Sequence, residues 1–144
     1  MTELKLIALD AEDLGIVSAQ VQDAVLRVGD MGFARAEKRF ALMLNRFDWT
    51  SVRGQGKAVR KRAALRFDHV AAARTAGFDP DAREGVLELL AVTFGETDAP
   101  AGTVTLEFAG GGSVALDVEC IEARLHDLGA AWAAKAVPAH DLSD

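Results

Sequence analysis

The chain has 144 residues, of which 16 are Lys or Arg and 22 are Asp or Glu, giving a formal net charge of −6. Half of the residues are apolar and 26% are charged, which excludes an intrinsically disordered chain and fits one globular domain that buries a core without disulfides or metals. The single cysteine, Cys120, excludes an internal disulfide and points to a reducing compartment.

The first residues, "MTELKLIALDAEDLG", place Glu3, Asp10, Glu12 and Asp13 where a secretory signal needs basic residues followed by an apolar run. No uninterrupted apolar stretch approaches the roughly 20 residues of a membrane span. The expectation is a soluble, cytoplasmic protein.

"LKLIAL" (4–9) reads as a short strand. Asp10 offers a helix N-cap, with Glu12 and Asp13 in the first turn where the helix dipole favours carboxylates. Leu14, Val17 and Val21 then follow helical spacing, which predicts a helix over residues 11–22. Gly15 and Ser18 weaken it modestly. "AVLRV" and "GFARAE" are short strands, and "AEKR" (36–39) is a hairpin turn into "RFALMLNRFDW". In that long strand Phe40, Leu42 and Leu44 point one way, and Ala41, Met43 and Phe47 broadly the other.

A basic segment follows. "SVRGQGKAVRKR" (51–62) holds five positive charges, no negative one, and two glycines that mark it as a loop. "RAALRFDHV" is a strand in which Leu65, Phe67 and His69 share a face, "AAARTAGFD" is ambiguous between strand and helical turn, and "DPDARE" (79–84) is a loop. "VLELLAVTF" is a strand and "GETDAPAG" a loop. "TVTLEF" and "SVALDV" alternate cleanly, with Val104, Leu106, Phe108, Val114, Leu116 and Val118 inward. The last predicted element is an amphipathic helix over Glu119–Ala134, with Val118, Ile121, Leu125, Leu128 and Trp132 as its apolar stripe. These elements predict an α+β fold: a strongly bent antiparallel sheet or partly open barrel, a pleckstrin-homology-like roll, with an N-terminal helix and a C-terminal capping helix. Residues 1–134 form a single domain and 135–144 a flexible tail.

Charge is distributed unevenly. From Arg35 to Arg74 there are eleven Lys or Arg against three acids, a local balance of +8, whereas the remainder has five basic residues against nineteen acids, a balance of −14. Such polarity steers an anionic partner or is neutralised within the molecule by its own acidic half.

The chemistry-bearing patterns are few. "GQGK" lacks the spacing of a phosphate-binding loop, and Ala58 stands where the metal-binding hydroxyl belongs. Asp117, Glu119 and Glu122 are three carboxylates within six residues, readable as cation ligands or as acids at a helix start. Cys120 lies among apolar neighbours and reads as a small core residue rather than a nucleophile. His69, His126 and His140 show no metal-ligand spacing. No catalytic residue, cofactor or metal site is expected. The candidate contact surface runs from Arg46 and Trp49 through Arg53, Lys57, Arg60, Lys61 and Arg62, because Trp and Arg are enriched at binding hot spots. It serves a protein partner or, alternatively, nucleic acid or another polyanion; oligomeric state is not fixed by any feature of the sequence.

Three separated segments, "VQDAVLRVGDM", "RFALMLNRFDW" and "FAGGGSVALDVECIEARLHDLG", together resemble an uncharacterised bacterial family, domain of unknown function 2948. The likeness spans the chain from the first strand to Trp132. It implies a stand-alone small bacterial cytosolic protein and carries no activity or site residues with it.

Overall fold

A computed structural model describes residues 4–48 and 60–128. It begins with strand β1 (Lys5–Ala8) and helix α1 (Ala11–Val21). Asp10 caps the helix as its spacing predicts: its backbone is extended and its Oδ1 accepts from the Asp13 N–H at 2.8 Å. Leu14, Val17 and Val21 form the buried stripe. Asp23 then turns the chain with φ 68°, and its N–H donates to the Leu89 carbonyl at 2.7 Å.

Strand β2 (Val25–Arg27) leads through a 3-10 turn (Val28–Asp30) into β3 (Met31–Ala34), and a turn at Arg35–Lys38 opens β4 (Arg39–Phe47). Strands β5 (Arg60–Asp68) and β6 (Val70–Ala76) are separated by His69 alone. The remaining strands are β7 (Val86–Glu96), β8 (Gly102–Phe108), β9 (Ser113–Val118) and β10 (Ala123–Asp127).

All ten strands pair antiparallel in one open sheet. Its order is β1-β10-β5-β4-β2-β7-β8-β9-β6, with β3 alongside β4. The sheet is strongly bent, because β5 and β6 are consecutive in the chain yet lie far apart along this order. His69 makes the corner with φ 61°, a left-handed conformation that His tolerates better than most residues. The corner is pinned by the Glu119 N–H to the His69 carbonyl and the Asp68 N–H to the Glu122 carbonyl, both 2.9 Å.

The inner face is the core. It gathers Phe40, Leu42 and Leu44, then Ala63, Leu65 and Phe67, with Leu89, Val104, Leu106, Phe108, Val114, Leu116 and Leu125. Helix α1 closes over this face against β7, β1 and β4. Ser18 has a use there: its Oγ accepts the Val92 N–H at 2.9 Å beside an irregularity in β7. No helix among the described residues is long and apolar enough to cross a membrane.

Two expectations are corrected. The capping helix expected over Glu119–Ala134 is absent across residues 119–128; these form a turn followed by β10, whose burial alternates with a period of two. Ile121 and Leu125, four residues apart, satisfy a strand period as well as a helical one, and pairing of β10 with both β1 and β5 decides between them. Trp132 and the predicted tail lie outside the described residues. His69 does not share the inner face with Leu65 and Phe67; it sits half-exposed at the corner.

Candidate binding surface

Alternation in "RKRAALRF" assigns each side chain of β5 to a face. Ala63, Leu65 and Phe67 point into the core, so Arg60, Arg62, Ala64 and Arg66 point outward. Cross-strand pairing extends this outer face. Arg62 stands opposite Asn45, and Asn45 opposite Val25. Ala64 stands between Met43 and His126, with Lys5 beyond; Arg66 stands between Ala41 and Arg124, with Ile7 beyond. The outer face of β1, β10, β5 and β4 therefore carries Lys5, Arg60, Arg62, Arg66 and Arg124.

Most other cations are neutralised inside the molecule. Arg46, expected on the contact surface, is only 4% exposed and cannot serve there. Its Nε and Nη2 each donate at 2.7 Å to the two oxygens of Asp127, a bidentate pair. The Leu4 N–H adds a third hydrogen bond to Asp127 at 3.0 Å. Burial pushes the Asp127 carboxyl upward, but the Arg46 and Leu4 hydrogen bonds and the Arg46 and Lys61 charges outweigh it and hold it below the ordinary value. Hydrogen bonding to Asp127 likewise raises Arg46. Lys61 faces Arg46 across the ladder and pairs with the buried Asp48 at 3.0 Å.

A second network surrounds the corner. Asp68 meets Arg39 at 2.9 Å, Arg66 at 3.2 Å and Arg124 at 3.5 Å. Its carboxyl is pushed up by burial, yet Arg39 and Arg66 leave it lowered overall. Asp117, Glu119 and Glu122 do not converge. Asp117 takes Arg74 and Thr103, Glu119 takes Lys38 at 2.6 Å, and Glu122 takes His69 at 2.8 Å and Arg124 at 2.6 Å. All three carboxyls are lowered, chiefly by hydrogen bonds from Arg74, Lys38 and His69 respectively. Among the described residues no group of three or more His, Cys, Asp or Glu is placed to hold a metal ion.

Arg60 and Arg62 are different. Arg60 lies over the Phe47 ring at 4.3 Å and, among the described residues, donates to the backbone carbonyls of Asp23 and Asn45. The Arg62 guanidinium has neither a carboxylate nor a hydrogen-bond acceptor among the described residues. Beside it, between β2 and β4, lies a cleft of about 470 Å³ lined by Val25, Arg27, Asp30, Asn45, Arg62 and Val86. The two strands there pair only at Val25 and Asn45, which leaves the seam splayed.

The family model described as a protein of unknown function, DUF2948, matches residues 4–140. The chain belongs to the DUF2948 family. No curated protein and no solved structure matches it.

Of the residues that the sequence proposed for contact, this DUF2948 chain brings Arg60 and Arg62 to one outer face, turns Lys61 and Arg46 inward, and leaves Trp49, Arg53 and Lys57 outside the described residues. Sequence reasoning missed Arg27, Asn45, Arg66 and Arg124. A signal for Arg66 was present: Arg60, Arg62 and Arg66 share one parity, so a strand begun at Arg60 rather than Arg62 aligns them.

Proposed function

We propose that this chain is a non-catalytic interaction module of the bacterial cytosol that docks an acidic protein partner through the outer face of β5 and its neighbours. The observation that carries this reading is the arginine pair Arg60 and Arg62, which has no carboxylate partner among the described residues, whereas Lys38, Arg46 and Arg74 of the basic middle each meet a carboxylate of the acidic half. Guanidinium groups without a carboxylate partner suit carboxylates by shape as well as charge. Trp49, Arg53 and Lys57, which adjoin this face in sequence, are proposed to extend it. An open, bent antiparallel sheet with helix α1 packed on its inner face supports such a role, and it is the part of the pleckstrin-homology-like expectation kept in this proposal.

The alternative partner is nucleic acid or another polyanion. The line of Arg60, Arg62 and Arg66 favours it; Asp68 and Glu122 at the far end of the face oppose it. Purification of the tagged protein from its native cells, with and without nuclease, separates the two. The proposal expects a protein that survives nuclease and is lost from the Arg60→Glu, Arg62→Glu variant. Loss on nuclease treatment assigns the face to a polyanion, and an identical set from both variants removes the face from consideration.

A further inference from the structure

The cleft between β2 and β4 has its own chemistry. Arg62 and Asn45 stand opposite each other on adjacent strands and both line it. Neither the Arg62 guanidinium nor the Asn45 carboxamide has a side-chain hydrogen-bond partner among the described residues. Two sets of donors therefore converge on one space, with the Val25 and Val86 side chains as apolar walls. The charged lining is Arg27 and Arg62 against Asp30; Arg27 also meets the exposed Glu84 at 3.5 Å, so Arg62 is the cation of the lining without a carboxylate partner among the described residues. Asp30 also accepts the Arg27 backbone N–H at 3.2 Å, which holds its carboxylate in place at the rim. Glu88, paired with Val25 on the next strand, adds negative potential behind the cleft.

One planar guanidinium without a carboxylate, beside an amide N–H, suits a monoanion that accepts two parallel hydrogen bonds. A dianion is penalised by Asp30 and Glu88, and apolar walls accommodate a short stem. We infer that the cleft is a socket for a single carboxylate on a short aliphatic stem, supplied by an acidic side chain of the docked partner. This rests on the proposed docking role for the owner of the carboxylate, but the socket itself is measurable without that partner.

The experiment titrates the full chain at millimolar concentrations of N-acetyl-glutamate methylamide, propionate and inorganic phosphate. It follows the side-chain N–H resonances of Arg62 and Asn45. The capped glutamate is expected to bind saturably and to shift both side chains, with phosphate weaker. Arg62→Gln is expected to lose about tenfold in affinity and Asn45→Ala less, as for removing one charge-assisted contact. Arg35→Gln, on the β3–β4 turn and outside both the cleft and the outer face, leaves binding unchanged, and the amide spectrum of each variant confirms its fold. Propionate binding without the capped glutamate overturns the assignment to a partner side chain. Absence of saturable shifts, or an Arg62→Gln variant that binds as the parent does, overturns the socket. Neither failure touches the recovery of a partner by the outer face, so the two proposals fail separately.

Discussion

At the scale of single residues, the decisive fact is which charges are already engaged. Arg46 and Asp127 form a bidentate pair at 2.7 Å with both side chains nearly inaccessible. Removing one partner strands the other charge away from water. Asp127→Ala is therefore expected to cost about 3–5 kcal/mol by chemical denaturation. Replacing both, Arg46→Met with Asp127→Leu, is expected to cost less than the sum of the single changes. The pair also has a pH signature. Asp127 is held below its ordinary value near 3.8 in the folded chain. A carboxyl lowered by folding contributes stability above its unfolded pKa, and that contribution is lost as pH falls through the folded value. Unfolding free energy measured from neutral pH downward is thus expected to decline below about pH 4, and Asp127→Asn to flatten that decline. None of this was legible in the sequence. Arg46 read as an exposed hot spot because its neighbours Phe47 and Trp49 suggested a surface, whereas its partner lies 81 residues away on a strand that read as helix.

At the scale of elements, legibility followed the cleanness of alternation. β8 and β9 place apolar residues inward and Thr, Glu, Ser, Ala or Asp outward, so they were readable to within a residue. α1 was readable from its cap and stripe. β10 has no β-branched residue and a polar residue, Arg124 or His126, at every second position before Asp127, and only its pairing on both sides makes it a strand. His69 shows the same limit, since an inward-facing position and a corner look alike without backbone angles. The corner yields a prediction. His69→Gly and His69→Val both lose the contact with Glu122, but only Val resists a φ of 61°. The Val variant is expected to be less stable than the Gly variant by about 1–3 kcal/mol in thermal or denaturant unfolding. Gly102 in β8 gives another. A Cβ there meets the Phe94 ring at 2.4 Å and the Gly95 carbonyl at 2.5 Å. Gly102→Ala is expected to destabilise by about 1–3 kcal/mol through forced displacement of that ring.

At the scale of the whole molecule, folding pairs part of the charge that is polarised along the sequence. Lys38 with Glu119, Arg46 with Asp127 and Arg74 with Asp117 each join the basic middle to the acidic half. The sequence displayed the sign of each segment but not these pairings, because charge counts carry no information on which strands become neighbours. Among the described residues of the basic segment, Arg60 and Arg62 are left without a carboxylate partner and share one face of the sheet. The attraction of that face for a protein partner is expected to weaken gradually as salt rises, without the steep loss that accompanies release of many counterions from a polyphosphate. Recovery of the bound partner across a salt series measures that slope.

The most direct measurement compares partner recovery by the parent chain, by Arg60→Glu with Arg62→Glu, and by Arg35→Glu on the β3–β4 turn, after each variant is shown to unfold at the parent's denaturant midpoint. Docking through the outer face predicts at least about a tenfold loss for the double reversal and none for Arg35→Glu. Equal recovery by all three would contradict it.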